Sequence, residues 1–297
     1  MSEYIQQNQT VMSFDVDESW VIMTPLELSI KNKIETVGVP LKEWDIKIYR
    51  GVLTGFNEAF IISGQKKDEL ISLDPKSAEI IRPILRGRDI KRYSYDFSDL
   101  WIIATFPSRK YNIDDFPAIK EYLLSFGIER LEQTGQTHVI NGEKIKARKK
   151  TNNKWFETQD SISYWDDFNR QKIVWGEISD NPKFALDING DFCVEATTFM
   201  MTGDHLWYVL CILNSSLSQF FFSKLGTTTG VGTLRWKKYK LEEFAIPPIH
   251  IISNDLMSKL TESFNDPIKN YNQINSLVFQ IYGLSNEEIE YIISQQS

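Results

Sequence analysis

The spacing of apolar residues changes its period twice along this chain, and that change limits the available folds more than any other feature. Leu26, Ile30, Ile34 and Val37 recur at helical spacing. Thr24 is placed to cap that helix, Pro25 suits its first position, Glu27 completes a capping box and Gly38 ends it. From Trp44 to about Ile103 the pattern becomes short β-branched and aromatic runs: Ile46–Tyr49, Ala59–Ile62 and Trp101–Ala104. Turn residues separate them, which predicts strands. A helix is expected over Pro117–Leu131, then an exposed loop or hairpin over 133–153. Strand-like runs return at Ser161–Tyr164, Lys172–Trp175, Phe184–Ile188 and Phe192–Glu195. The helical period resumes over about Asp204–Lys224, with Asp204 as N-cap and Leu206, Val209, Leu210, Leu213, Leu217 and Phe220 as a wide stripe. After Pro247-Pro248 the chain reads as helical to its end. One helix starts at Asp266-Pro267 and stops at Gly283, and Ser285 with Glu288 opens another.

No repeat of fixed period runs through this order. It predicts an α+β fold with an irregular, β-rich body followed by helices. The expected divisions are an N-terminal arm and linker helix (1–37), the β-rich body (38–250) and a C-terminal helical segment (251–297). Apolar residues make up 42% of the chain, enough to fill a sizeable core and to exclude disorder throughout.

Cysteine and histidine usage narrows the chemistry. Cys193 and Cys211 are too few for a disulfide scaffold or a cysteine zinc finger, and His138, His205 and His250 are too scattered for a histidine metal cluster. The polar N-terminus lacks the apolar core of a signal peptide. The stretch Leu206–Phe222 is interrupted by Asn214, Ser215, Ser216, Ser218 and Gln219, too often to cross a bilayer. A soluble, cytoplasmic protein is expected.

The net charge of −7 argues against a nucleic-acid coat protein, which would be basic overall. The charge is nevertheless uneven. Arg82–Arg92 holds five basic residues and one acid; Lys144–Lys150 holds five and none. Between His205 and Leu241 there is no acid, while Lys224, Arg235, Lys237, Lys238 and Lys240 are present. A basic face on an acidic body is consistent with this distribution.

Catalytic motifs are weak. Asn181-Pro182-Lys183-Phe184 resembles the Asn/Asp-Pro-Pro-Tyr/Phe loop of amino-methyltransferases, but Lys183 replaces the second proline and no strand-plus-glycine nucleotide loop lies upstream. Asp45-Ile46-Lys47 has the shape of a metal-dependent nuclease strand, with Glu35 and Glu43 as candidates for the second carboxylate that such a site needs. Gly230-Val231-Gly232 follows a helix and reads as a flexible loop.

The binding candidates are better grouped. Ile48–Ile62 runs strand, glycine turn, strand, with Arg50, Thr54, Gly55 and Asn57 around the turn; Thr54 and Asn57 either bind phosphate or brace it. Arg86, Arg88, Lys91 and Arg92 surround Gly87, so that several guanidinium groups can face a phosphate backbone. Lys144, Lys146, Arg148, Lys149, Lys150, Lys154 and Trp155 interleave basic and aromatic groups, as do Arg235, Trp236, Lys237 and Lys238. For the glycine turn the alternative is a well-made hairpin, for Arg86–Arg92 a solvated or internally salt-bridged face, and for the Lys144–Trp155 stretch a mobile solvated loop.

Taken in order, these segments resemble the TaqI-like C-terminal specificity domain, the target-recognition region of bacterial adenine-specific DNA methyltransferases and fused type II restriction-modification enzymes. The matching stretches are Ile46–Ile62, Ile84–Arg92, Trp155–Gln159, Phe184–Ile188, Leu206–Phe222, Phe244–Pro248 and Ile274–Ile289, so coverage runs from about Thr24 to the C-terminus. The resemblance implies a β-rich target-recognition lobe followed by an α-hairpin. It implies sequence reading in the major groove of double-stranded DNA and no catalysis by this chain. A methyltransferase or endonuclease domain or subunit would be the partner, and S-adenosylmethionine would bind there. Phosphate contacts are then expected from Arg86, Arg88, Lys91, Arg92 and Lys144–Lys150, and base readers from residues 133–157 or 226–238. The alternatives are a nuclease built on Asp45 and Lys47, and a protein-docking role for the acidic C-terminal helices.

Overall fold

The computed structural model describes residues 23–225 and 234–296. The expected N-terminal arm and the Gly230-Val231-Gly232 loop lie outside these residues, as does most of the 226–238 stretch. The chain divides into two compact units, but not at the expected boundaries. One comprises the described residues up to Asp45, Ser179–Pro182 and those from Trp207 onward; the other comprises Ile46–Ile178 and Lys183–Leu206.

The second unit holds both four-stranded sheets. Its strands are β1 (Ile46–Arg50), β2 (Ile61–Ser63), β3 (Ile81–Leu85), β4 (Leu100–Ile103), β5 (Thr137–Ile140), β6 (Glu143–Lys146), β7 (Lys172–Gly176), β8 (Phe184–Asp187), β9 (Cys193–Val194) and β10 (Thr198–Gly203). One antiparallel sheet has the order β8-β7-β10-β1, with Met200 opposite Val174 on one side and Tyr49 on the other. A second has the order β9-β3-β4-β2, in which only the β9–β3 pair is parallel. The period of two then divides the core. Ile102 and Ile84 join Val174, Ala185 and Met200 in a cluster shared by the two sheets, and Leu85 breaks the alternation at the strand's end to join them. Ile103, Ile81 and Ile62 face the other way, onto Leu70 of helix Gly64–Leu73 and onto Ile119 and Leu123 of helix Pro117–Leu124.

A buried ion pair pins the end of the first sheet. The Lys172 ammonium donates to Asp187 at 2.5 Å and to the Phe168 carbonyl at 2.8 Å. The Asp187 carboxylate also accepts the N–H groups of Gly190, Asp191 and Phe192. The carboxylate accepts four hydrogen bonds and the ammonium donates two, so the burial is tolerable. Cys193 lies in the same core, where burial pushes its thiol up to about 11 and leaves it unreactive.

The first unit is helical. Helix Pro25–Val37 carries the expected Thr24–Glu27 capping box, and helix Asn286–Ser294 carries that of Ser285 and Glu288. Glu27 accepts from Lys224 and from the Tyr291 hydroxyl, both at 2.9 Å, and Glu288 pairs with Lys33 at 2.7 Å. The Tyr208 and Tyr282 hydroxyls donate to the carbonyls of Pro247 and Ala245 and so fix the Phe244–Pro248 segment.

Five expected elements differ. In the Ala59–Ile62 run, Ala59 and Phe60 belong to a short helix, Asn57–Phe60, and the strand is Ile61–Ser63. The Asp204–Lys224 helix is two helices, Leu206–Leu213 and Ser216–Leu225, bent by 63°. The Ser215 hydroxyl accepts from the Ser218 N–H and so starts the second one. Pro117–Leu131 breaks at Gly127, whose φ of 86° ends the first helix. Ser161–Tyr164 is irregular and leads into a 3₁₀ turn. The helix expected from Asp266-Pro267 begins at Tyr271. Among the described residues, no single helix is long and apolar enough to cross a membrane.

Candidate nucleic-acid interface

The turn after β1 is braced from within. Thr54 is fully buried and donates to Asn57 at 2.6 Å while accepting from the Phe56 N–H. Gly55 takes a φ of 77°, and a Cβ there would meet the Gln159 side chain at 2.6 Å and Arg148 at 3.1 Å. Of the two roles expected for Thr54 and Asn57, the geometry shows bracing, and Gly55 takes the positive φ expected of it.

Arg148 requires a further correction. Expected at a DNA backbone, it is only 4% exposed. Its Nε donates to the Leu131 carbonyl, Nη1 to those of Thr54 and Glu157, and Nη2 to that of Trp155, at 2.6–2.9 Å. Its guanidinium lies over the Phe60 ring, 4.9 Å from the centroid. Burial lowers the guanidinium to about 10, so it stays charged at neutral pH. Gln133 works beside it, donating to the carbonyls of Lys154 and Glu157 and accepting from Thr151. The segment expected to be an exposed loop or hairpin is therefore bolted to the body of the unit. Trp155 is half-buried against the helix-covered core, with its ring edge-on to Phe156.

The lysines around this bolt point outward. Lys144, Lys146, Lys149, Lys150 and Lys154 are all exposed, and among the described residues none of them has an ion-pair partner. They surround a hairpin formed by β5 and β6, paired from Thr137↔Lys146 to Ile140↔Glu143.

A second basic cluster forms where β1, β3 and β10 begin or end. Glu195 donates its N–H to the Leu85 carbonyl, and Arg50 donates from Nε to the Ala196 carbonyl at 2.6 Å. Gly87 lies against Gly176, where an added Cβ would come within 3.4 Å. Arg86 grips Asp89 through Nε and Nη2, both at 3.1 Å, and its backbone N–H joins the same carboxylate. The bond to Asp89 raises the Arg86 guanidinium further. Burial alone would raise the Asp89 carboxyl, but the bonds from Arg86 and Ser98 outweigh it and hold it below its usual range. Arg88 is exposed and has no ion-pair partner among the described residues, whereas Lys91 lies 4.0 Å from Asp96. Arg92 is half-buried at the end of this turn.

The third basic segment belongs to the helical unit. Lys237 lies over Tyr239, Lys238 pairs with Glu242 at 3.5 Å, and Arg235 is half-buried. Sequence reasoning missed one grouping: Arg82 and Arg109 each lie about 5 Å from the Trp165 ring, brought there from three separate segments. No spacing rule links them. For the nuclease alternative, Asp45 and Glu43 are exposed and Glu35 faces Lys31 at 3.7 Å. Among the described residues, no three His, Cys, Asp or Glu side chains converge.

Comparison with known proteins places this geometry. The pattern of the TaqI-like C-terminal specificity domain matches residues 82–246, which contain both basic clusters around Arg86 and Arg148. The chain belongs to this family. As a TaqI-like specificity domain it is 26% identical over 285 residues to the type II methyltransferase M.BstVI of Geobacillus stearothermophilus, covering 94% of this chain and 47% of that protein. It is 23% identical over 275 residues to the type II methyltransferase M.PaeR7I of Pseudomonas aeruginosa, covering 91% and 44%. The chain thus spans about half the length of these curated relatives. Among solved structures, the type IIL restriction-modification enzyme MmeI in complex with DNA superposes on 86% of this TaqI-like domain and 36% of that chain. The TM-score is 0.52 at 10% identity, and the likeness shows a shared fold.

Proposed function

We propose that this chain is the sequence-specific DNA recognition module of a cytoplasmic restriction-modification system, directing an adenine-specific methyltransferase or endonuclease to its site without catalysis of its own. The observation that carries the reading is the specificity-domain match over residues that include Lys149, Lys150 and Lys154, exposed and without ion-pair partners among the described residues. Those lysines supply the sequence-independent grip on phosphates, while fixed side chains on the same unit read base edges. An overall acidic protein is compatible with this, because a tethered second domain adds affinity as a clamp.

The non-catalytic part of the proposal rests on two findings: the match is to a specificity domain, and the curated relatives are about twice as long. Asn181-Pro182-Lys183-Phe184 supports it as well. The Asn181 carbonyl accepts from Ser179, and its side-chain oxygen accepts from Gln219, so this segment is a strand-entry turn. S-adenosylmethionine is proposed to bind on the methyltransferase portion.

Fluorescence anisotropy with random-sequence duplexes, over a salt titration, tests the reading. Salt-sensitive binding, with a short motif enriched among recovered duplexes, supports it. No binding at low salt contradicts it. Transfer of methyl groups from S-adenosylmethionine by this chain alone would overturn the non-catalytic assignment.

A further inference from the structure

We propose that the outward face of the Thr137–Lys146 ribbon is the base-reading surface, entering the major groove while the lysines at its foot hold the phosphates. This deepens the DNA-recognition reading and rests on it.

The register sorts the ribbon into two faces. Thr137 lies opposite Lys146 and Val139 opposite Lys144, and all four are exposed. On the other face His138, Ile140 and Ile145 are half-buried, and β6 runs alongside helix Ile128–Leu131. The tip is a two-residue turn, with Asn141 at φ 51° and Gly142 at φ 86°, the geometry that keeps the right-handed twist of a tight hairpin. A twisted two-stranded ribbon fits the major groove, which is about 12 Å wide.

The foot fixes where the ribbon points. Beyond the last strand pair, the Ala147 N–H donates to the Gln136 carbonyl and the Gly135 N–H to the Arg148 carbonyl, so the ladder runs down to the buried guanidinium. A reader held on a rigid base spends less binding energy on ordering itself.

The chemistry of the face points to base edges rather than to phosphates alone. A phosphate grip needs only the lysines. Val139, 68% exposed between them, adds methyl groups with nothing to gain from a phosphate. A thymine methyl is the groove feature it suits, and Lys144 and Lys146 can donate to guanine O6 and N7. The Thr137 hydroxyl can serve either kind of edge.

The test is selection of bound duplexes from a random pool with the full chain, comparing wild type with Val139→Asn, Lys144→Gln and Lys149→Gln/Lys150→Gln. Thermal melts confirm that each variant folds. Val139→Asn and Lys144→Gln are expected to change the preferred base at one or two adjacent positions, with discrimination there falling roughly 5- to 150-fold. The Lys149→Gln/Lys150→Gln protein should keep the motif and bind all sequences more weakly. Ribbon variants that enrich the wild-type motif with undiminished discrimination would overturn the inference and leave the DNA-recognition reading standing. A wild-type chain that enriches no motif would overturn both.

Discussion

Arg86–Arg92 and Lys144–Lys154 are alike in composition, yet the fold uses them differently. In the first, an arginine and an acid three residues apart satisfy each other, while Arg88 is exposed and has no ion-pair partner among the described residues. In the second the stretch itself holds no acid; Glu157 lies close enough to favour the charge of Arg148, which turns inward and serves backbone carbonyls from three segments, while its lysine neighbours stay in solvent. The difference follows from donor geometry. A guanidinium fork can satisfy several fixed acceptors at once, whereas an ammonium is strongly hydrated and is better left outside. In this domain the arginines at the centres of the basic stretches set the shape, and the lysines are available for a partner.

The contrast can be broken most severely at Arg148. Arg148→Ala orphans the carbonyls of Leu131, Thr54 and Trp155; Gln133 still serves that of Glu157. Each lost partner costs roughly 1–3 kcal/mol, so a loss of at least about 3 kcal/mol is expected in urea unfolding. Arg148→Lys should recover only part of it. If both variants melt like wild type, the arginine is not the bolt.

A smaller effect is expected at Asp89. Its carboxyl is held below the usual range in the folded state. The resulting stability is therefore present above the unfolded value of about 3.9 and is lost as pH falls through the folded value. Asp89→Asn should lower stability by about 1–3 kcal/mol at neutral pH and flatten the acid limb of a pH–melting curve. An unaltered acid limb would show that the Arg86–Asp89 pair contributes nothing.

The lysines should show the opposite profile. Lys149→Gln/Lys150→Gln is expected to leave stability within about 0.5 kcal/mol. It should reduce the salt slope of DNA binding by about 0.9 for each phosphate contact removed. Arg88→Gln should do the same with a single step, the smallest effect of the series. Arg86→Gln should act mainly on stability, since its guanidinium is already engaged.

Much of the fold was legible in the sequence. The capping boxes at Thr24 and Ser285, the hairpin within 133–153 and most strand positions follow from local chemistry, which sequence records directly. The breaks at Gly127 and Ser215 were less legible, because a helical stripe continues across both and only a positive φ or a hydroxyl cap reveals the stop. The site was legible as a set of basic segments but not as a division of roles. Whether Arg148 or Lys149 faces solvent depends on carbonyls supplied from Thr54 and Leu131, which spacing does not reveal. The cluster of Arg82, Arg109 and Trp165 lay beyond reach for the same reason.

The central claim is that exposed lysines grip DNA while the buried arginine builds the surface that carries them. The most direct measurement is the salt dependence of duplex binding by wild type and by Lys149→Gln/Lys150→Gln, with the thermal stability of both recorded alongside. The account predicts equal melting and a salt slope shallower by up to about 1.8 in the variant. An unchanged slope, with affinity intact, would contradict it.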